Sequence, residues 1–155
     1  MVKVLFVCLG NICRSPAAEG ILRHKIANDS RSQEIHIESC GLGDWHVGQM
    51  PDDRIREAAK TRGIILTSRA QRFAPAFFTS FDYILVADHE VLNDLRRMAK
   101  TPEHKAKIQL MTSFSSTYRD EEIPDPYYGG EAGFELVLDM LEDCCEGFLE
   151  HIKGR

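Results

Sequence analysis

The chain has no run of about 18 apolar residues, so nothing in it reads as a membrane-spanning helix. It has no surplus of positive charge either: 19 lysines and arginines stand against 24 acidic residues, a net charge of −5. A nucleic-acid binder would carry a basic patch or stripe, so no nucleic-acid partner is expected. An acidic chain must also capture an anionic ligand by local geometry, because its overall field repels one weakly. The five cysteines, Cys8, Cys13, Cys40, Cys144 and Cys145, are odd in number and irregular in spacing, unlike a secreted disulfide framework. No C-x-x-C motif occurs, and the six histidines, His46 and His89 among them, show no metal-ligand spacing and read as surface residues. No metal is expected. The apolar stretch from Val2 to Leu9 stops at Gly10-Asn11, with Arg14 and Pro16 beyond, too soon for a signal peptide. Free thiols and no leader point to the cytoplasm.

What is present suits one globular domain over residues 1–155, with 43 % hydrophobic and 28 % charged residues. Val2 to Val7 is short, β-branched and almost continuously apolar, the pattern of a strand covered on both faces. Ser15-Pro16 reads as an N-cap and first helical residue, followed by an apolar stripe at Ala18, Ile21, Leu22 and Ile26. Further strands are predicted over residues 34–39, 81–87 and 107–111. Helices are predicted from Pro51 towards Gly63 and over residues 88–100. The last helix is the clearest, with Phe134, Val137, Leu138, Leu141, Cys144, Cys145, Phe148 and Ile152 at helical spacing. Residues 112–130 read as a long polar loop. Strand alternating with helix predicts an α/β fold: a doubly wound sheet of about four parallel strands with helices on both faces. Ligands bind such folds beyond the carboxyl ends of the strands, where Cys8 falls.

The stretch from Cys8 to Ser15 carries the chemistry. A loop wrapping from a strand end into a helix N-terminus points several backbone N–H groups at one spot, a ready cradle for a tetrahedral oxyanion. Gly10 and Asn11 are residue types that tolerate the left-handed backbone such a wrap needs. Arg14 supplies a planar fork that can pair two phosphate oxygens. The same field acts on Cys8: thiols near helix N-termini and cations titrate at about 3.5–7.5, rather than near ~8.5. A thiolate inside an oxyanion cradle is a nucleophile aimed at phosphorus.

Cys-x5-Arg-Ser after a hydrophobic strand, within the string C-L-G-N-I-C-R-S-P, resembles the low-molecular-weight protein tyrosine phosphatases. The resemblance extends over the chain, through Asp44-Trp45, residues 81–85 and Asp125-Pro126-Tyr127-Tyr128. It implies that Cys8 forms a phosphocysteine, that Arg14 binds the phosphoryl group, and that the backbone of Leu9, Gly10, Asn11, Ile12, Cys13 and Arg14 lines the cradle. Asp125 would protonate the departing phenolate and then activate water; alone, Asp-Pro also suits a turn. The leaving-group chemistry supports an acid, since a phenol with a pKa near ~10 departs faster when protonated in flight. Ser15 would hydrogen-bond the Cys8 sulfur, with Asn11 and Ser39 in the network that fixes the loop. Where many relatives carry a histidine in that network, this chain has Ser68.

Cys13 packs under the loop or, as the resemblance implies, pairs reversibly with oxidised Cys8. Cys40, Cys144 and Cys145 read as core. Trp45, Tyr127 and Tyr128 are expected to wall a cleft deep enough for an aryl phosphate, with local loop packing as the plainer account. The expected partners are a phosphotyrosine-bearing protein and inorganic phosphate as product and competitor, with no cofactor. Phosphoarginine hydrolysis is the alternative; relatives resembling that branch carry threonine where this chain has Ile12. A phosphate-binding module without turnover is disfavoured because Cys8 and Asp125 are both present. Arsenate reduction lacks the extra cysteines it would need between Val86 and Met98.

Overall fold

The computed structural model describes residues 1–27, 29, 34–126 and 130–153. Strand β1 (Val2–Cys8) runs into helix α1 (Arg14–Ile26), and strand β2 (Ile35–Gly41) follows. Helix α2 (Asp53–Lys60) is capped by the Asp52 side chain, which accepts from Arg54 N. Gly63 reverses the chain beyond it with φ +79. After the short helix α3 (Phe77–Ser80), strand β3 (Tyr83–Val86) leads into α4 (His89–Met98), α5 (Pro102–Ala106) and β4 (Ile108–Leu110). Helix α6 (Glu131–Lys153) closes the described chain.

The strands pair in parallel in the order β2-β1-β3-β4. Val4, Phe6 and Cys8 of β1 face a layer formed with α1, α2 and α6, while Leu5 and Val7 face the layer containing α4. Strand β1 is therefore buried on both sides, which explains its nearly unbroken apolar run. The chain moves outward from β1 to β2 and then returns to its other side at β3, so β1 borders the topological switch point. Cys8 ends that strand.

Three short elements escape the apolar pattern. Helix α5 is opened by Thr101, whose hydroxyl oxygen accepts from His104 N, with Pro102 at the first helical position. Helix α3 carries two rings of a phenylalanine cluster: Phe73 packs edge-on to Phe77 and Phe78. Residues 111–114 form a 3₁₀ turn where the predicted loop begins. The rest of that loop is tied down by Asp143 of α6, which accepts from Ser115 Oγ, from Ser116 N at 3.0 Å and from Thr117 N at 3.1 Å. Farther on, Ile123 is fully buried and donates its amide to the Ala87 carbonyl at 2.8 Å. That bond fixes the stretch bearing Asp125 to the end of β3.

Ser15 is not the N-cap of α1. Arg14 starts the helix, Cys13 precedes it without a side-chain cap, and Pro16 lies within the first turn, where its missing N–H costs no helical bond. The Ser15 hydroxyl is used elsewhere.

Gly147 shows how tightly α6 seats on the turn at 111–114: a Cβ there would collide with the Phe114 carbonyl. Alanine normally gains about 1 kcal/mol over glycine inside a helix. Here the rigid clash should win, so Gly147→Ala should lose about 1–3 kcal/mol in a urea titration. Gly133→Ala, whose Cβ would meet Pro126 at an ordinary 3.8 Å, should show no such loss.

Candidate active site

The loop between β1 and α1 is held open by its surroundings. Its carbonyls accept from outside: Leu42 N reaches Cys8 O at 3.1 Å, Gly43 N reaches Leu9 O at 2.9 Å, and Asp52 N reaches Ile12 O at 2.8 Å. With those oxygens drawn outward, the amides of Leu9, Gly10, Ile12 and Cys13 have no protein acceptor among the described residues. They belong to the wall of a cleft of about 420 Å³, which Cys8, Arg14, Trp45, His46 and Asp125 also line. Such an array of N–H groups at a helix start is an anion cradle.

Asn11 makes the turn. Its φ is +59, whereas Gly10 is not among the left-handed residues, so the expected pair reduces to one. The Gly10 hydrogen matters for space instead: a Cβ there would come within 3.3 Å of the His46 ring. His46 is accordingly a cleft residue and not the plain surface residue its spacing suggested. Asn11 is 2 % exposed, and both ends of its side-chain amide are bonded. Its Nδ2 donates to Ser15 Oγ at 2.7 Å and Ser39 Oγ at 3.1 Å, and its Oδ1 accepts from Gln71 N at 2.9 Å. Ser39 Oγ in turn donates to buried Glu19 at 2.5 Å. Ser68 takes no part in these bonds among the described residues; the Gln71 amide bonds to Asn11 directly.

The Cys8 sulfur accepts from Asn11 N at 3.2 Å and lies 3.0 Å from Ser15 Oγ. Ser15 has one proton and two possible acceptors, the sulfur and the Cys40 carbonyl at 3.2 Å. A charged sulfur would win that proton, because charge-assisted bonds are the stronger.

Arg14 is buried, its side chain 4 % exposed. Its Nη1 donates to Asp88 Oδ2 at 2.7 Å and to the Ile123 carbonyl at 2.9 Å, while Nη2 lies 3.8 Å from Asp125 Oδ2. Burial works against its charge, but the Cys8 sulfur and the Asp88 carboxylate outweigh burial and raise the guanidinium pKa above its ordinary value. Asp88 also caps α4 by accepting from Val91 N. Nothing in the sequence distinguished this second duty from simple capping. The other thiols are pushed up by burial, Cys144 to about 12, and Cys13, Cys40 and Cys145 likewise upward.

Trp45 is 64 % exposed at the rim. Tyr127 and Tyr128 lie outside the described residues. No group of three or more His, Cys, Asp or Glu side chains could hold a metal among the described residues, and no described helix is long and apolar enough to cross a membrane.

A sulfur on the floor of an amide cradle, with an arginine beside it and a carboxylate at the rim, is the equipment of a cysteine-dependent phosphate-ester hydrolase. The family model "Low molecular weight phosphotyrosine protein phosphatase" matches residues 3–155. A low molecular weight phosphotyrosine protein phosphatase of Sus scrofa is 39 % identical over 152 residues, covering 97 % of this chain and 96 % of that protein. A protein tyrosine phosphatase from Entamoeba histolytica, solved with Hepes in its active site, superposes with a TM-score of 0.95 at 40 % identity, covering 99 % of this chain and 98 % of that one. A Drosophila arginine phosphatase reaches 0.90 at 38 % identity, covering 98 % of each. The chain belongs to the low-molecular-weight protein-tyrosine-phosphatase family, whose fold it shares and whose cysteine-dependent hydrolase activity it carries.

Gly41 is a site residue the sequence did not flag, and its signal was only a glycine at a strand end. A Cβ there would stand 2.9 Å from Asn11 N, Gly10 C and Leu9 O, all of them loop backbone. Gly41→Ala should therefore displace the cradle and weaken competitive inhibition by inorganic phosphate about tenfold, the cost of ~1.4 kcal/mol, while a melting curve still shows a cooperative fold.

Proposed function

We propose that this chain hydrolyses phosphotyrosine esters of protein substrates in two steps, with Cys8 as nucleophile. The observation that carries the assignment is the Cys8 sulfur, bonded by Asn11 N and Ser15 Oγ and flanked by the buried Arg14. In the first step the sulfur forms a bond to phosphorus as the bond to the aryl oxygen breaks, and Asp125 gives its proton to that oxygen. In the second step Asp125 takes a proton from water, the water oxygen attacks phosphorus, and the S–P bond breaks. The departing thiolate is received by the Asn11 amide and the Ser15 hydroxyl.

Arg14 and the amides bind the three non-bridging oxygens, where negative charge stays concentrated through both steps. Asp88 and the Ile123 carbonyl hold one end of the guanidinium so that the remaining N–H groups stay aimed. Trp45 and Ile12 wall the cleft with apolar surface that suits an aryl group, which favours phosphotyrosine over phosphoarginine. Phosphate released at the end is the natural competitive ligand. Buried, uncoupled thiols are consistent with a cytoplasmic setting.

Cys8→Ser should reduce hydrolysis of an aryl phosphate to background. Asp125→Ala should slow it by about 10²–10⁴-fold with poor leaving groups and much less with good ones. Full activity of Asp125→Ala on poor leaving groups would show that the acid lies elsewhere. Phosphoarginine turnover exceeding phosphotyrosine turnover would move the substrate to the alternative.

Alkylation gives an independent check. The other four thiols remain protonated at neutral pH because burial raises them. Iodoacetate near pH 6 should thus label one residue, Cys8, and inorganic phosphate should suppress the reaction; peptide mapping reads both results.

A further inference from the structure

The loop that lines the active cleft is followed, beyond α2, by a stretch of backbone with no protein hydrogen-bond partner among the described residues. Ile64 N donates to the Ala59 carbonyl at 3.0 Å, and Ala70 N donates to Gln49 O at 2.9 Å. Between them, the N–H and C=O groups of residues 65–69 take no protein partner among the described residues. Burial alternates along the segment: Ile64 and Leu66 are buried, whereas Ile65 and Thr67 are exposed. Just downstream, Gly41 N donates to Gln71 O and Phe73 N donates to Gly41 O, so the segment emerges from a bridge to the end of β2. A row of open backbone groups with alternating side chains is what an added strand pairs with.

The flank of this segment is chemically biased. A groove of about 350 Å³ combines apolar Met50 and Ile65, the latter 66 % exposed, with Arg56, Lys60 and Arg69 against the single carboxylate of Glu57. Arg56 is paired with Asp53, but Lys60 and Arg69 have no carboxylate within salt-bridge distance among the described residues. This is a local surplus of positive charge on a chain of net charge −5. One loop joins the two sites in the chain, giving Trp45 and His46 to the cleft and Met50 to the groove.

We propose that residues 65–69 and this groove dock an extended stretch of the protein substrate, flanking its phosphotyrosine. The stretch adds as a strand, sets acidic side chains against Lys60 and Arg69, and lays an apolar side chain on Met50 and Ile65. The inference rests on the phosphotyrosine reading of the site and assigns to a separate surface the choice among phosphoproteins. Neither Lys60 nor Arg69 touches the reacting groups, so docking governs kcat/KM for peptides while leaving small esters alone.

The test uses p-nitrophenyl phosphate and two phosphotyrosine peptides, identical except for aspartate and leucine flanks in one and lysine and serine flanks in the other. The wild-type chain should prefer the acidic peptide by about fivefold in kcat/KM, the scale of two exposed ion pairs. K60E combined with R69E should erase or invert that preference with p-nitrophenyl phosphate turnover unchanged. In hydrogen exchange, a phosphonate analogue of the acidic peptide should protect amides within residues 65–69. An unaltered preference in the double variant, or no added protection there, overturns the docking proposal. So does protection of the same amides by self-association without peptide. Absence of p-nitrophenyl phosphate turnover in the wild-type chain would instead sink the phosphatase reading itself.

Discussion

The site depends on Asn11 holding a left-handed turn inside a buried network. A non-glycine residue at φ +59 is tolerated chiefly by asparagine and aspartate, because a short polar side chain can bond to nearby groups. Here the side chain does more than tolerate the turn. Its amide nitrogen fixes Ser15 and Ser39, its oxygen takes Gln71 N, and its own backbone N–H points at the Cys8 sulfur. One residue therefore joins the Cys8 sulfur, the helix start and the end of β2. A glycine could make the same turn but would leave Ser15 and Ser39 without that donor, and a larger side chain would be strained.

Charge explains why the amides are indispensable. Among the described residues Arg14 is the one cation paired with Asp88, and it also faces Asp125 and the Cys8 sulfur. One guanidinium cannot neutralise those groups and a phosphoryl dianion as well. Much of its charge is already answered by Asp88 at 2.7 Å, which serves to hold its orientation. The balance must come from backbone dipoles, which cost no reorganisation when phosphate arrives because the carbonyls are already tied outward. This division of labour also fits a chain of net charge −5, in which a broad basic surface is not available to attract anions.

The sequence displayed the fold wherever a single apolar period ran unopposed. Strand β1 and helix α6 were legible because each presents one unbroken pattern to a fully formed layer. The short helices α3 and α5 carry no such period; α5 is specified by a cap and a proline, and α3 by rings that meet only after folding. At the site, the string from Cys8 to Ser15 pointed to a nucleophile and an anion cradle, since those roles are local in sequence. Asp88 and Gly41 were hidden for the opposite reason. One is 74 residues from Arg14, and the other matters through a backbone that passes within 2.9 Å of it. Ser15 was misplaced as a cap because cap and sulfur partner demand the same hydroxyl, and composition alone does not say which claim wins. His46 was passed over because a histidine with no metal-ligand spacing gives no sign of the loop that turns it onto Gly10.

A loop whose carbonyls bond outward takes much of its shape from its neighbours. Leu42, Gly43 and Asp52 hold its carbonyls, and Gln71 holds Asn11, so its shape is set by the ends of β2 and α2 and by the segment that follows α2. By linkage, a ligand that binds only the cradle held in shape by those contacts stabilises that shape by RT ln(1 + [L]/Kd). The reverse follows from the same equation: strain introduced at any of these anchors is felt as lost affinity for phosphate. The anchoring reaches the C-terminal end of residues 65–69, since Ala70 N donates to Gln49 O next to Gln71, whose N–H holds Asn11. The Asn11 turn is therefore tied to the backbone that leaves that segment.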